Sequence, residues 1–174
     1  MLNKEITFPI FIKHNPDYSL YKKELLNQIN KTPSKTESKN DSIHNTDWGI
    51  KADIKREYLD LFLSINQKHF TEISSYFNCN KVELLNFWFQ TYTKNNYHKK
   101  HNHEGHYSCV FYVELPDPSI STHFYMPSSN EKFYFKEVEE GDIILFPSLI
   151  FHESPLIEKE TKKTIISANM NFYG

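Results

Sequence analysis

Cysteine is nearly absent: Cys79 and Cys109 alone in 174 residues cannot build a disulfide scaffold, and they carry no CxxC spacing. The expected setting is therefore reducing, although a single Cys79–Cys109 bridge stays open. Glycine is also scarce, at 4 residues, which excludes a flexible low-complexity chain. Neither charge sign dominates, the net charge being −2, so no bulk basic field recruits nucleic acid, which is not expected as a partner. Long hydrophobic runs are missing too. The apolar stretch around Phe8–Ile12 falls well short of the roughly 20 residues that span a bilayer, and no small-residue cleavage site follows it. A soluble, cytoplasmic protein without a membrane partner is the expectation.

Aromatic residues are plentiful, at 16% of the chain with 14 Phe and 11 Tyr. With the β-branched residues they concentrate in the second half, which favours strands there. The length fits one domain over 1–174. Phe8–Ile12 reads as a short strand placed at an edge by Pro9. Asp17 offers a cap for a helix over 18–30, where Leu20, Leu25, Leu26 and Ile29 recur at helical spacing. Residues 31–47 are polar, which predicts a solvated loop. Asp53 then caps a longer helix to about 77, its apolar stripe including Tyr58, Leu61, Phe62, Ile65 and Ile73.

From Glu83 the hydrophobic period changes. Strands are predicted over 84–92, 107–115, 122–126, 132–136, 142–146 and 163–172, separated by Pro116–Pro118, Ser128–Asn130 and Gly141-Asp142. Short strands broken in this way build an all-β sandwich or barrel. The expected architecture is mainly β, with two N-terminal helices (helical support over 1–80) in front of a jelly-roll core (81–174).

Four of the nine histidines lie between Tyr97 and Tyr107; of these His98 and His106 are expected at the periphery, with His98, three residues before His101, within reach of the pocket rim as a substrate contact. His101 and His103 are two apart, so in an extended chain both leave the same face, which suits chelation. His152, after the turn and strand Gly141–Pro147, is the best third ligand from a neighbouring part of the barrel. The competing reading is a solvated His-rich loop that binds nothing. The letters His101-Asn102-His103 also spell a nuclease motif, but that motif disperses its residues over a ββα unit. A cupin matches the spacing of Gly141, Pro147 and His152, yet lacks its glutamate: Tyr107, Ser108 and Cys109 stand where it belongs. In the last strand Lys163, Ile165, Ser167 and Asn169 share one face. A lysine pointing into a barrel requires an anionic partner, and a hydroxyl such as Tyr112 would help to hold one. As a solvated turn pair with Lys162, Lys163 would need none.

Several stretches together resemble the small 2-oxoglutarate- and iron(II)-dependent oxygenases of phages and bacteria. These are Phe8–Phe11, Ser42–Gly49, Trp88, His101–Gly105 followed by Tyr107–Val113, Gly141-Asp142 with Leu145–Ser148 and His152, and Lys163–Asn169. The resemblance implies a double-stranded β-helix, prolyl-hydroxylase-like and cupin-like in shape. It implies an oxidoreductase using Fe(II), 2-oxoglutarate and O2 to hydroxylate a small-molecule or peptide substrate. His101, His103 and His152 fall at the metal positions. Lys163 takes the place of the basic cosubstrate anchor, and Tyr112, Ser108 and Ser167 lie beside it. The alternative is a cupin-like metal or small-ligand binding protein without oxygenase activity.

One departure stands out, because His103 occupies the place of the family's carboxylate ligand. Three-histidine coordination, recruitment of Glu104, or the open position of the His-x-Gly iron halogenases would each accommodate it.

Overall fold

The computed structural model describes residues 8–38, 41–51 and 53–174. In chain order its elements are β1 (Phe11–Lys13), α1 (Tyr18–Lys31), β2 (Lys35–Glu37), β3 (Ile43–Thr46), α2 (Tyr58–Tyr76), β4 (Lys81–Tyr92) and β5 (His98–His101). There follow β6 (Tyr107–Glu114), β7 (His123–Tyr125), β8 (Lys132–Phe133), β9 (Ile143–Pro147), β10 (His152–Ser154) and β11 (Lys163–Tyr173). Seven strands form a large sheet in the order β1-β9-β6-β11-β4-β3-β2, and four form a small one in the order β5-β10-β7-β8.

Strand β11 organises the molecule because its side chains alternate between two cores. Ile166, Ala168 and Met170 join Phe89 and Phe111 against Tyr18, Leu25 and Ile29 of α1 and Tyr58, Phe62 and Ile73 of α2. Ile165, on the other face, joins Val110, Tyr112, Ile144 and Phe146 against Phe124 of the small sheet. The helices thus cover one face of the large sheet and the small sheet covers the other, which is a double-stranded β-helix. Fully burying a side chain such as Phe62 contributes about 2–3 kcal/mol, so both layers are firmly held.

The strands expected in the second half are present, and so are both helices, with shifted ends. Asp17 precedes α1 without making a side-chain cap bond, and Leu20 faces solvent. Helix α2 starts at Tyr58, not after Asp53, because Arg56 folds the preceding segment back. Its Nε donates to Asp47 Oδ2 at 2.8 Å and its Nη2 to the Ile50 carbonyl at 3.0 Å.

The solvated loop expected over 31–47 is instead the hairpin β2–β3, added to the edge of β4 through Asn45–Thr91 and Thr46–Gln90. Only β2 is at the edge and pairs on one side, and in β3 only Ile43 and Thr46 are buried, so a mostly polar sequence suffices to make the hairpin. Besides the helices, residues before 81 therefore supply three strands of the large sheet. Asp47 locks the hairpin to the core: fully buried, it accepts from Phe89 N, Tyr58 Oη and Arg56 Nε at 2.7–2.8 Å.

At the entry to β9, Gly141 has φ +91°, and an added Cβ would lie 2.7 Å from Tyr18 ring and Cβ carbons, so this turn requires glycine. Cys79 and Cys109 are both free, so the bridge left open does not form. No described helix is long and apolar enough to cross a membrane.

Candidate metal centre

Three imidazoles meet between the sheets. His101 ends β5 and stands opposite His152 of β10 in the strand register. His103 follows in the next loop, whose path is set by its own N–H donating to the Ser148 carbonyl at 3.0 Å. One ligand atom from each of the three lies within 4.8 Å of the others. The ring centroids are 4.3–5.0 Å apart.

Tautomers follow from the backbone. His101 Nδ1 lies 2.7 Å from the Lys99 carbonyl and His152 Nδ1 lies 3.0 Å from the Ile150 carbonyl. A carbonyl only accepts, so both Nδ1 atoms carry the proton and both Nε2 lone pairs are left for a ligand. Burial lowers the pKa of all three rings, His103 to about 4 and His152 well below its ordinary value. At neutral pH they are therefore uncharged, the form that binds metal. Three convergent imidazole nitrogens on two strands and a loop fit a divalent transition-metal ion, with further coordination positions left for other ligands.

Glu104 is exposed and outside this grouping. Among the described residues the other grouping of potential ligands is His14, Glu139 and Asp142. That one is internally hydrogen-bonded, with His14 Nδ1 2.7 Å from Asp142 Oδ1 and Glu139 N donating to Asp142 Oδ2.

His98, expected no nearer than the pocket rim, joins the cluster itself. It stacks on His101 with ring centroids 3.9 Å apart, and burial lowers its pKa to about 3. His106 does lie apart, its Nδ1 accepting from Phe172 N.

The inner cavity beside the triad is small, about 20 Å3, and its walls include Ser108, Val110, Thr122, Ser154, Ser167 and Asn169. Ser108 Oγ donates to Asn169 Oδ1 at 2.6 Å. Tyr112 reaches the cavity only through Thr122, its hydroxyl donating to Thr122 Oγ1 and accepting from Thr122 N, both at 3.0 Å.

Behind Ser154 and Tyr92, which line the cavity, lies Lys163, 1% exposed. Its ammonium donates to Ser154 Oγ at 2.5 Å and to the Ile120 carbonyl at 2.7 Å, and sits 4.6 Å from the centre of the Tyr92 ring. Among the described residues no carboxylate pairs with it, and burial lowers its pKa to about 7.

A second, outer cavity of about 420 Å3 shares His98, His101, His103, Trp88 and Gln90 with the inner one and is walled by the β2–β3 hairpin and Trp48. Sequence reasoning missed Thr122, Ser154, Asp41 and Asp47 as parts of the site or its support. Of these only Asp47 lies inside a noted motif, the stretch Ser42–Gly49.

No protein-family model matches the sequence, and comparison with curated proteins finds no match. Solved structures do match in fold. A Pseudomonas putida prolyl-4-hydroxylase aligns at TM-score 0.63 and 13% identity over 96% of this chain and 93% of its own. An oxidoreductase of the 2-oxoglutarate–Fe(II) oxygenase family from Burkholderia pseudomallei aligns at TM-score 0.67 and 10% identity over 92% and 84%. A viral collagen prolyl hydroxylase from Paramecium bursaria Chlorella virus-1, solved with 2-oxoglutarate, aligns at TM-score 0.59 and 12% identity over 95% and 96%. The chain has the double-stranded β-helix fold of these enzymes. Within that fold it carries a neutral three-histidine cluster with a buried ammonium nearby.

Proposed function

We propose that this chain is an iron(II)- and 2-oxoglutarate-dependent oxygenase that hydroxylates a C–H bond of a small-molecule or peptide substrate. The observation that carries the reading is Lys163: a buried ammonium without a counter-ion among the described residues, placed behind the wall of a cavity that three neutral imidazoles enter. An isolated buried cation is costly, and an anion bound beside it offsets that cost. A metal site with an anion-seeking cation close by suits a ligand that chelates at one end and is a carboxylate at the other, as 2-oxoglutarate is. The fold neighbours include such enzymes, one of them solved with 2-oxoglutarate.

His101, His103 and His152 would hold the metal through nitrogen lone pairs, and their carbonyl contacts keep the rings oriented. Three-histidine coordination is favoured over Glu104, which is exposed. When bound, iron(II) with 2-oxoglutarate supplies the activation of dioxygen: one oxygen atom goes to the substrate C–H as hydroxyl and the other to succinate, with release of carbon dioxide. Lys163 would pair with the distal carboxylate. Ser108 and Ser167 offer hydroxyls along the same wall, and Tyr112 braces Thr122. Val110, Ile165 and Phe146 supply the apolar part of the inner wall. The keto acid is larger than the inner cavity, so seating it requires side chains to give way. Release of Lys163 from Ser154 and Ile120 is the nearest such movement. A metal or small-ligand binder without turnover is less well supported, since the fold neighbours are oxygenases.

Anaerobic calorimetry tests the proposal. 2-Oxoglutarate should bind the Fe(II)- or Mn(II)-loaded protein and not the metal-free one, and His152→Ala should abolish both metal and cosubstrate binding. On admitting oxygen to the iron form, succinate should accumulate. Metal-independent or absent 2-oxoglutarate binding would sink the proposal.

A further inference from the structure

The two compartments of the site differ in charge. The inner one is backed by the Lys163 ammonium, whereas the outer one carries carboxylates from Glu37 and Asp41. Asp41 Oδ1 accepts from Lys99 N at 3.0 Å, and Oδ2 lies 3.6 Å from His98 Nε2, beyond hydrogen-bond reach. Among the described residues no lysine or arginine side chain pairs with Asp41. Lys99 also lines this compartment, and Lys35 Nζ is 4.0 Å from Glu37. Asp41 is therefore the carboxylate available to a ligand.

The facing wall is aromatic. Trp48 is 47% exposed, packs edge-on to Trp88 at 4.6 Å, and Trp88 in turn lies 5.4 Å from His103. An indole surface thus runs from the rim to the triad. Its outer end is pinned, because Trp48 N donates to Thr46 Oγ1, which itself donates to the Phe89 carbonyl. Indole faces and carboxylates together attract cations, by cation–π attraction and by charge-assisted hydrogen bonds. They disfavour anions, which the Lys163 side would draw further in.

We propose that the outer compartment binds a cationic group of the substrate, an amine or guanidine, with its charge at Asp41 and its carbon skeleton against Trp48 and Trp88. This rests on reading the histidine triad as the reaction centre. A volume of about 420 Å3 accommodates one amino-acid-sized unit or a small free amine, not a folded partner.

The experiment titrates N-acetyl-lysine methylamide, its neutral counterpart N-acetyl-norleucine methylamide, and hexylamine into the protein, following tryptophan fluorescence with and without Mn(II) and 2-oxoglutarate. A cationic probe should bind at least about tenfold more tightly than the norleucine probe. Asp41→Asn, whose amide oxygen still accepts from Lys99 N, should remove that preference. Trp48→Ala should weaken every probe, and neither variant should change 2-oxoglutarate affinity. Preference for either cationic probe supports the inference, the tighter one telling a peptidyl from a free amine. Equal binding of the three in the wild type overturns it, as does a preference that survives Asp41→Asn. If 2-oxoglutarate fails to bind while the cation preference persists, the oxygenase reading falls and this one stands. If 2-oxoglutarate binds and the preference is absent, the reverse holds.

Discussion

Lys163→Met should leave the metal-free protein about as stable as before while greatly weakening its hold on 2-oxoglutarate. Burial lowers the ammonium from its ordinary value of 10.5 to about 7, which at about 1.36 kcal/mol per pH unit is a cost of roughly 4–5 kcal/mol. The sign follows from linkage: between pH 7 and 10.5 the unfolded chain holds a proton that the native one has released. The destabilisation is therefore complete below about 7 and recedes as pH rises towards 10.5.

Methionine removes this cost and keeps the bulk, but leaves the Ile120 carbonyl and Ser154 hydroxyl without their donor, at about 1–3 kcal/mol each. The two effects nearly cancel, so the variant should stay within about 2 kcal/mol of the wild type, or about 8 °C in melting temperature. Losing one member of a buried charge pair costs about 2–5 kcal/mol in the complex, so 2-oxoglutarate should bind at least about 30-fold more weakly. In the wild type that affinity should fall as pH rises above about 7, where the ammonium loses its proton. Scanning fluorimetry of the Mn(II) form with graded 2-oxoglutarate measures both quantities. Cosubstrate affinity equal in the two proteins would refute the anchor role, and a stability loss beyond about 4 kcal/mol would refute the claim that the ammonium lacks a counter-charge.

Two further outcomes follow from buried groups elsewhere. His103 and His98 titrate near 4 and 3 in the native state against an ordinary 6.5, so the stability they confer is fully present above 6.5 and is lost as pH falls through that window. The urea midpoint of the metal-free protein should drop between pH 6.5 and 4, and His103→Gln should flatten the slope; an unchanged midpoint would contradict the burial. Asp47→Ala strips Phe89 N, Tyr58 Oη and Arg56 of their shared acceptor, which should cost about 3–5 kcal/mol by thermal unfolding. A loss under about 1 kcal/mol would mean that water replaces the carboxylate.

The long strands were legible because burial imposes a pattern on them. In β11 the polar positions Lys163, Ser167 and Asn169 share the face of Ile165, and that face is the one turned to the inner cavity, with Ser167, Asn169 and Ile165 in its wall. The two-residue spacing of His101 and His103 pointed to their meeting, but one strand face does not bring it about: His101 ends β5 and His103 stands in the loop after it, held by its N–H on the Ser148 carbonyl. His152 was identifiable from the turn and strand that deliver it. His98 was not, since an imidazole three residues before His101 gives no sign in the sequence of stacking on it. The irregular register between β5 and β10, in which the three steps from His98 to His101 stand opposite the two from Ser154 to His152, brings that stack about.

The same reasoning explains why Lys163 drew notice and Asp41 did not. A lysine inside an apolar alternating strand breaks a pattern, so its burial and its need for an anion can be inferred before any fold is known. Asp41 lies in a polar run, where a carboxylate breaks nothing. Its position depends on two distant pairings: the Ser42–Tyr97 bridge and the hydrogen bond from Lys99 N across 58 residues of sequence. Asp47 is hidden for the same reason, its principal donor Phe89 N being 42 residues away. Charges whose meaning comes from such non-local pairing become informative only after the edge strands are in place. Here that edge is the β2–β3 hairpin, whose strands are polar apart from Ile43. The hairpin that looked like a solvated loop is therefore what turns the triad from an open cluster into a walled site with a chemically distinct entrance.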